Sequence, residues 1–251
     1  MRRSIAVGAG RLSLLGGLEP QGARVEWVGC RKGTVILAML TVNEIFYSIQ
    51  GESDYAGRPC VFVRLTGCDL RCVWCDTPYA FNEGRKLTVD EVVAEVAGFG
   101  CDLVEITGGE PLLQAEVYPL MDQLVASGAT VLLETGGHQS VARVPATVVK
   151  IMDIKCPGSQ ESERNDWDNI TRLTDRDQVK FVITDRVDYE FARDVVRRYT
   201  LDSLCAAVLF SPVHGVFPPE RLAKWVLEDR LPVRLQVQLH KLLWGAETRG
   251  V

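Results

Sequence analysis

The sequence predicts an α/β protein, a partial, TIM-like parallel β/α barrel. Three observations lead there. From residue 60 onward, seven short apolar stretches alternate with segments carrying helix start and stop signals. The polar and glycine-rich stretches fall just after the apolar ones, at the strand ends where parallel α/β sheets hold ligands. Seven strands are one short of a closed eight-stranded barrel, so an incomplete one is expected.

Composition sets further bounds. The chain has 251 residues, 47% hydrophobic, enough for one large core. A net charge of −5 gives no sign of a nucleic-acid or membrane partner, while a small anionic substrate needs only a few local cations. Eight cysteines at uneven spacings, three of them bunched, argue for a reduced, cytoplasmic protein with a metal site rather than a disulfide framework. Cys30, Cys60, Cys101, Cys156 and Cys205 read as ordinary buried thiols. Residues 1–38 carry Arg2 and Arg3, then glycine-rich sequence with no apolar run long enough for a signal or a membrane span. They are expected to be a poorly ordered extension or an over-extended reading frame, with 39–251 as the catalytic domain.

The elements follow in order. Residues 41–49 are aromatic and β-branched, hence a strand, and run into a turn at Gln50-Gly51-Glu52-Ser53. Residues 60–65 form a near-continuous apolar strand interrupted by Arg64, and a buried strand hosts Arg only with a partner or a cavity. Thr88 and Glu91 make a capping box for a helix to residue 97. The strand 103–107 ends in Gly108-Gly109-Glu110-Pro111, and Pro111 suits the first turn of a helix expected to run to Ser127 and stop at Gly128. Strands 130–134, 148–153, 179–183 and 206–210 follow. A helix from Thr184-Asp185 to residue 199 and another from Pro218-Pro219 to 228 sit between or after them. Residues 233–239 read as the last strand.

The loop after strand 60–65 holds Cys68, Cys72 and Cys75, spaced C-x3-C-x2-C. Three soft ligands suit an iron–sulfur cluster or zinc. A closed zinc site wants a fourth ligand, and none follows within 25 residues of Cys75, so a [4Fe–4S] cluster with one open iron is the simplest reading.

This cysteine spacing, with Thr107-Gly108-Gly109-Glu110-Pro111, resembles the radical S-adenosylmethionine superfamily, whose partial barrel it implies. Glu44-Ile45-Phe46-Tyr47-Ser48-Ile49-Gln50-Gly51-Glu52, Arg58-Pro59, Arg64 and Cys75-Asp76-Thr77 resemble the 7-carboxy-7-deazaguanine synthase family within it. The likeness spans residues 42–245. It implies a lyase of queuosine and deazapurine biosynthesis, acting on 6-carboxy-5,6,7,8-tetrahydropterin and releasing ammonia as the ring contracts. It also implies an external one-electron reductant of the flavodoxin or ferredoxin type, and a homodimer.

The resemblance implies residue roles as well. Cys68, Cys72 and Cys75 would hold the cluster, and Thr77 would help bind Mg2+, keeping water and substrate oxygens as its other ligands. Trp74, Cys75, Asp76, Gly109 and the segment Asp153-Ile154-Lys155 would touch S-adenosylmethionine. Ile49, Gln50, Gly51, Arg64 and Thr107 would meet the substrate, Arg64 through its carboxylate. His240 and Lys241 fall in a stretch placed near the substrate, whereas His138, after Gly137, reads as a surface loop residue. A glycyl-radical activase and a structural zinc or electron-transfer protein are the alternatives. The first needs a peptide groove, and the second would carry zinc or lack cofactor cleavage.

Overall fold

The computed structural model describes residues 39–251; the expectation for residues 1–38 lies outside them. Strands β1 (Leu40–Ile49), β2 (Pro59–Leu65) and β3 (Arg85–Leu87) are antiparallel, with β1 between the other two. From β2 onward, β4 (Leu103–Gly108), β5 (Thr130–Thr135), β6 (Val149–Asp153), β7 (Gln178–Ile183), β8 (Ala207–Pro212) and β9 (Arg234–Leu235) all run parallel. The order is β3-β1-β2-β4-β5-β6-β7-β8-β9. Each parallel strand is added on the same side as the one before, so there is no reversal of direction as in a doubly wound sheet. The edges β3 and β9 do not pair with each other, and the result is the partial barrel.

Helices α1 (Val89–Ala97), α2 (Val117–Ala126), α3 (Arg186–Tyr199), α4 (Leu201–Leu204), α5 (Pro219–Glu228) and α6 (Leu239–Trp244) complete the set. The capping box at Thr88 is present in both directions, Thr88 accepting from Glu91 N and Glu91 from Thr88 N. Two expectations need correction. The helix foreseen from Pro111 breaks into a 3-10 turn, Pro111–Leu113, before α2 begins at Val117. Between them, extended Gln114 exchanges hydrogen bonds with Thr41 and donates to the Thr66 carbonyl, and these tertiary bonds replace a helical turn. The last strand shrinks to Arg234–Leu235, because the Gln236 and Gln238 side chains turn inward to bond Ser53 and Glu52.

The two-residue period of the strands sorts their side chains. Val61, Val63, Leu65, Val104, Ile106, Val131 and Leu133 pack against α1 and α2. Val179, Phe181, Val208 and Phe210 pack against Tyr189 and Val196 of α3 and Leu222 of α5. Each such side chain contributes roughly 1.5–3 kcal/mol of burial. The opposite parity faces the barrel interior. At its lower end Phe46, Cys60, Phe62, Leu103, Leu132, Val149 and Ile151 form an apolar plug. Level with its top and above it, strands β2, β4, β5, β6 and β7 offer Arg64, Glu105, Thr107, Glu134, Asp153 and Lys180 to one cavity.

Candidate active site

The loop after β2 turns Cys68, Cys72 and Cys75 toward this cavity, whose volume is ≈ 570 Å³. Backbone bonds hold the loop: Gly67 N donates to Ala80 O at 2.8 Å, Glu110 N to Gly67 O at 2.7 Å, and Val73 N to Ser159 O at 3.3 Å. Burial pushes the Cys68 and Cys72 thiols up, and the Lys155 ammonium works in the opposite direction at both. Among the described residues no three His, Cys, Asp or Glu side chains converge closely enough to clasp a single ion. Cys68, Cys72 and Cys75 all line the cavity, and three thiolates are the ligand type that an iron–sulfur cluster takes.

The two glycines after β4 are fixed by packing. Gly108 sits at φ 141°, and a Cβ on it would strike the Leu65 backbone. A Cβ on Gly109 would run into the Gly67 carbonyl and Cys68 Cβ. The glycine pair therefore lets the cysteine loop lie directly on the end of β4. Next to it Glu110, fully buried, accepts from Leu112 N at 3.0 Å, Thr135 Oγ1 at 2.9 Å and Gly136 N at 2.8 Å.

The cavity wall carries charge. Arg64 Nε is 2.7 Å from Glu44 Oε1, and its two terminal nitrogens take no acceptor among the described residues. Lys180 pairs with Glu52 at 3.0 Å and also with Glu134, and Thr107 Oγ1 donates to Glu134 at 2.9 Å. Burial opposes the Lys180 charge, but Glu134 and Glu52 outweigh it and hold the ammonium protonated. Asp153 Oδ1 and Ser211 Oγ, in residues that line the cavity, are buried without a hydrogen-bond partner among the described residues.

The chain matches the Radical SAM superfamily model over residues 62–147. It is 50% identical over 226 residues to the 7-carboxy-7-deazaguanine synthase of Koribacter versatilis, covering 84% of this chain and 100% of that protein. With the synthase of Chlorobaculum tepidum it shares 45% identity, covering 85% of this chain and 98% of the relative. The chain belongs to the 7-carboxy-7-deazaguanine synthase family. The crystal structure of QueE from Escherichia coli superposes with a TM-score of 0.65 at 23% identity, over 80% of this chain and 95% of that one, which supports the fold.

Membership in a radical S-adenosylmethionine family implies a [4Fe–4S] cluster and S-adenosylmethionine, and one cavity gathers almost every residue expected to meet cofactor, Mg2+ or substrate. Ile49, Gln50, Gly51, Arg64, Trp74, Cys75, Asp76, Thr77, Thr107, Gly109, Asp153 and Lys155 all line it. Ile154 does not: the residue is 3% exposed and lies in the core beside α3. Thr77 makes no side-chain cap bond to the 3-10 turn it precedes, so its hydroxyl is not tied up there. Gln50 is firmly held, its Oε1 accepting from Glu52 N at 2.9 Å and its amide nitrogen donating to Glu105.

His138 corrects an expectation. Its side chain is 1% exposed, Nε2 lying 2.6 Å from Asp69 Oδ1, and it packs under the cysteine loop of this synthase family member rather than on the surface. Glu105, Glu110 and Lys180 were not foreseen as site residues. A charge inside an otherwise apolar strand, the signal that marks Arg64, also marks Glu105 and Lys180. The C-terminal stretch closes over them: Leu239 N donates to Gly51 O at 3.0 Å, and Gln238, His240, Lys241, Ala246 and Glu247 line the cavity.

Proposed function

We propose that this chain converts 6-carboxy-5,6,7,8-tetrahydropterin into 7-carboxy-7-deazaguanine with loss of ammonia. The observation that carries this reading is that the three-cysteine loop and the Arg64 guanidinium open onto one cavity. When bound, the cluster and S-adenosylmethionine supply abstraction of a hydrogen atom from the substrate.

The chain's residues do the rest. Arg64, oriented by Glu44 and flanked by the Phe46 and Tyr79 rings, offers its free terminal N–H groups to the substrate carboxylate. Thr77 would offer a hard oxygen to Mg2+, and the ion would supply positive charge for the substrate carboxylate. Gln50, Thr107 and the Gly51 backbone supply polar groups for the ring edge. Asp153, Lys155 and the Gly109 backbone flank the cofactor, with Trp74 set between two cysteines as a packing surface. Lys155, 2.9 Å from Asp153 and close to Cys72, favours the thiolate that a cluster requires. Helix α6 and the segment after it exclude water.

An external one-electron reductant, a cytoplasmic location and a homodimer belong to the same reading. The exposed apolar side chains Leu242, Leu243 and Trp244 of α6, beside Leu235 and Val237, support a subunit contact there. Among the described residues no helix is long and apolar enough to cross a membrane.

The test is anaerobic reconstitution followed by incubation with carboxytetrahydropterin, S-adenosylmethionine, Mg2+ and reductant. Iron, sulfide and deazaguanine product are expected. Bound zinc without iron would remove the radical class, and cofactor cleavage without deazaguanine would remove the specific substrate.

A further inference from the structure

Glu105 is a buried carboxyl that lacks a cation. It is 4% exposed, and the nearby ammonium, Lys180, bridges Glu52 and Glu134 instead. Its only hydrogen-bond partner among the described residues is Gln50, whose amide nitrogen donates to Oε2. Oε1 takes no partner, yet it is not among the sealed, orphaned atoms, so it is open to the cavity that Glu105 lines. A carboxyl so placed has one free oxygen and one direction in which to use it.

Its depth in the barrel says what it would meet. Arg64 pairs in register with Thr107, and Glu105 lies two residues earlier on β4, opposite Phe62. Two residues of strand are ~6.6 Å, about the length of a fused two-ring heterocycle. Phe46 and Phe62, stacked with centroids 4.9 Å apart, supply an apolar surface at the same level. A flat ring whose carboxylate is held by Arg64 would therefore present its far, polar edge to Glu105.

Resting on the pterin reading above, we propose that Glu105 is a specificity-determining residue. It acts as a neutral carboxylic acid whose Oε1–H donates to an acceptor on the substrate's ring, a carbonyl oxygen or ring nitrogen, while Oε2 accepts from Gln50. The surroundings support the neutral form. Burial raises the Glu105 carboxyl well above the carboxylate range, and Glu134 on β5 and Glu52 in the turn after β1 add to this. Lys180 on β7 and the Gln50 hydrogen bond work against it. The Cys60 thiol, from β2, also faces Glu105 and is itself pushed up by burial and by that carboxyl. A neutral acid can donate, which three crowded carboxylates around one lysine could not.

The experiment measures binding without turnover. Cluster-loaded protein with S-adenosylmethionine, but no reductant, is titrated with carboxytetrahydropterin by calorimetry from about pH 6 to about pH 9. Iron content and S-adenosylmethionine affinity are checked in each variant. Glu105→Leu should weaken pterin binding about tenfold, one hydrogen bond's worth. Glu105→Gln, which keeps a donor and an acceptor, should bind within about twofold of wild type. It should also lose the wild type's decline in affinity as pH rises. A Leu variant that binds like wild type overturns the proposal. So does a Gln variant as weak as the Leu variant, since that is the mark of an ionised acceptor. If the Leu variant loses iron or fold, the comparison of wild type with Gln decides alone, and identical pH profiles overturn the proposal. A wild type that does not bind the pterin here, yet cleaves S-adenosylmethionine once a reductant is added in a separate assay, points to failure of the substrate reading and takes this proposal with it.

Discussion

Lys241 Nζ lies 2.8 Å from Asp76 Oδ2, so helix α6 is tied by an ion pair to the residue that follows the third cysteine. Gln238 reaches the same carboxylate at 3.1 Å and Glu52 at 2.9 Å, which joins the C-terminal segment, the cysteine loop and the turn after β1 at one point.

That junction has a pH signature. Burial alone would raise the Asp76 carboxyl, but Lys241 and the hydrogen bonds from Lys241 and Gln238 hold it at about 2, below its ordinary 3.8. A depressed carboxyl gives stability that is fully present above the ordinary value and is lost as pH falls through the folded one. Lys241→Met should therefore lower the urea midpoint at neutral pH, and the gap from wild type should close between about pH 4 and about pH 2. Asp76 is 46% exposed, so solvent screening limits the difference to at most about 1 kcal/mol. An equal gap at both ends of that range would contradict the pairing.

Iron content separates the two kinds of cysteine. Alanine at Cys68, Cys72 or Cys75 should each reduce reconstituted iron from about four per chain to near zero. Cys101→Ser, at a thiol outside the cavity, should leave it unchanged. Iron and sulfide assays on the four variants are the measurement.

Lys180 holds two carboxylates together inside the barrel. Lys180→Met strands Glu52 and Glu134 without a cation and should cost about 3 kcal/mol at neutral pH. For a domain of this size that is a fall in the unfolding midpoint of roughly 10 °C. In the variant the stranded carboxyls are raised, so stability drops as pH rises and the penalty shrinks in acid. Thermal unfolding at several pH values would show the trend, and a penalty that grew in acid would refute it.

Arg64→Ala should lower kcat/KM for the pterin by up to about 100-fold, the loss expected of a charge-assisted pair, with iron content intact. Steady-state kinetics with an iron assay checks both halves. Lost iron would show that Arg64 supports the loop instead of the substrate.

Much of this architecture is legible from local chemistry. The seven parallel strands, the Thr88 capping box and the glycines after β4 follow from apolar runs, a cap pair and turn residues. What escapes depends on distant contacts. Gln114 breaks a helix because β1, 73 residues away, offers it better partners. His138 is buried because Asp69 meets it across a similar distance. Glu105 and Lys180 alternate with apolar neighbours, a pattern that equally suits a strand with one face in water. Only the curling of the sheet turns that polar face inward. Gly109 is a further case: the turn sequence marks it, but the cysteine loop, not the cofactor alone, explains why it carries no side chain.

The bond from Gln238 to Glu52 closes a span of 186 residues. Loop-closure entropy makes such a contact unfavourable until the barrel between its ends has formed. The segment over the cavity is therefore expected to dock after the barrel, and α6, with no buried residue of its own, to open more readily than the strands beneath it. Until it docks, the three thiols stand open to whatever delivers iron and sulfide, and equally to oxygen. The chain completes its barrel before it shuts the door on its own metal.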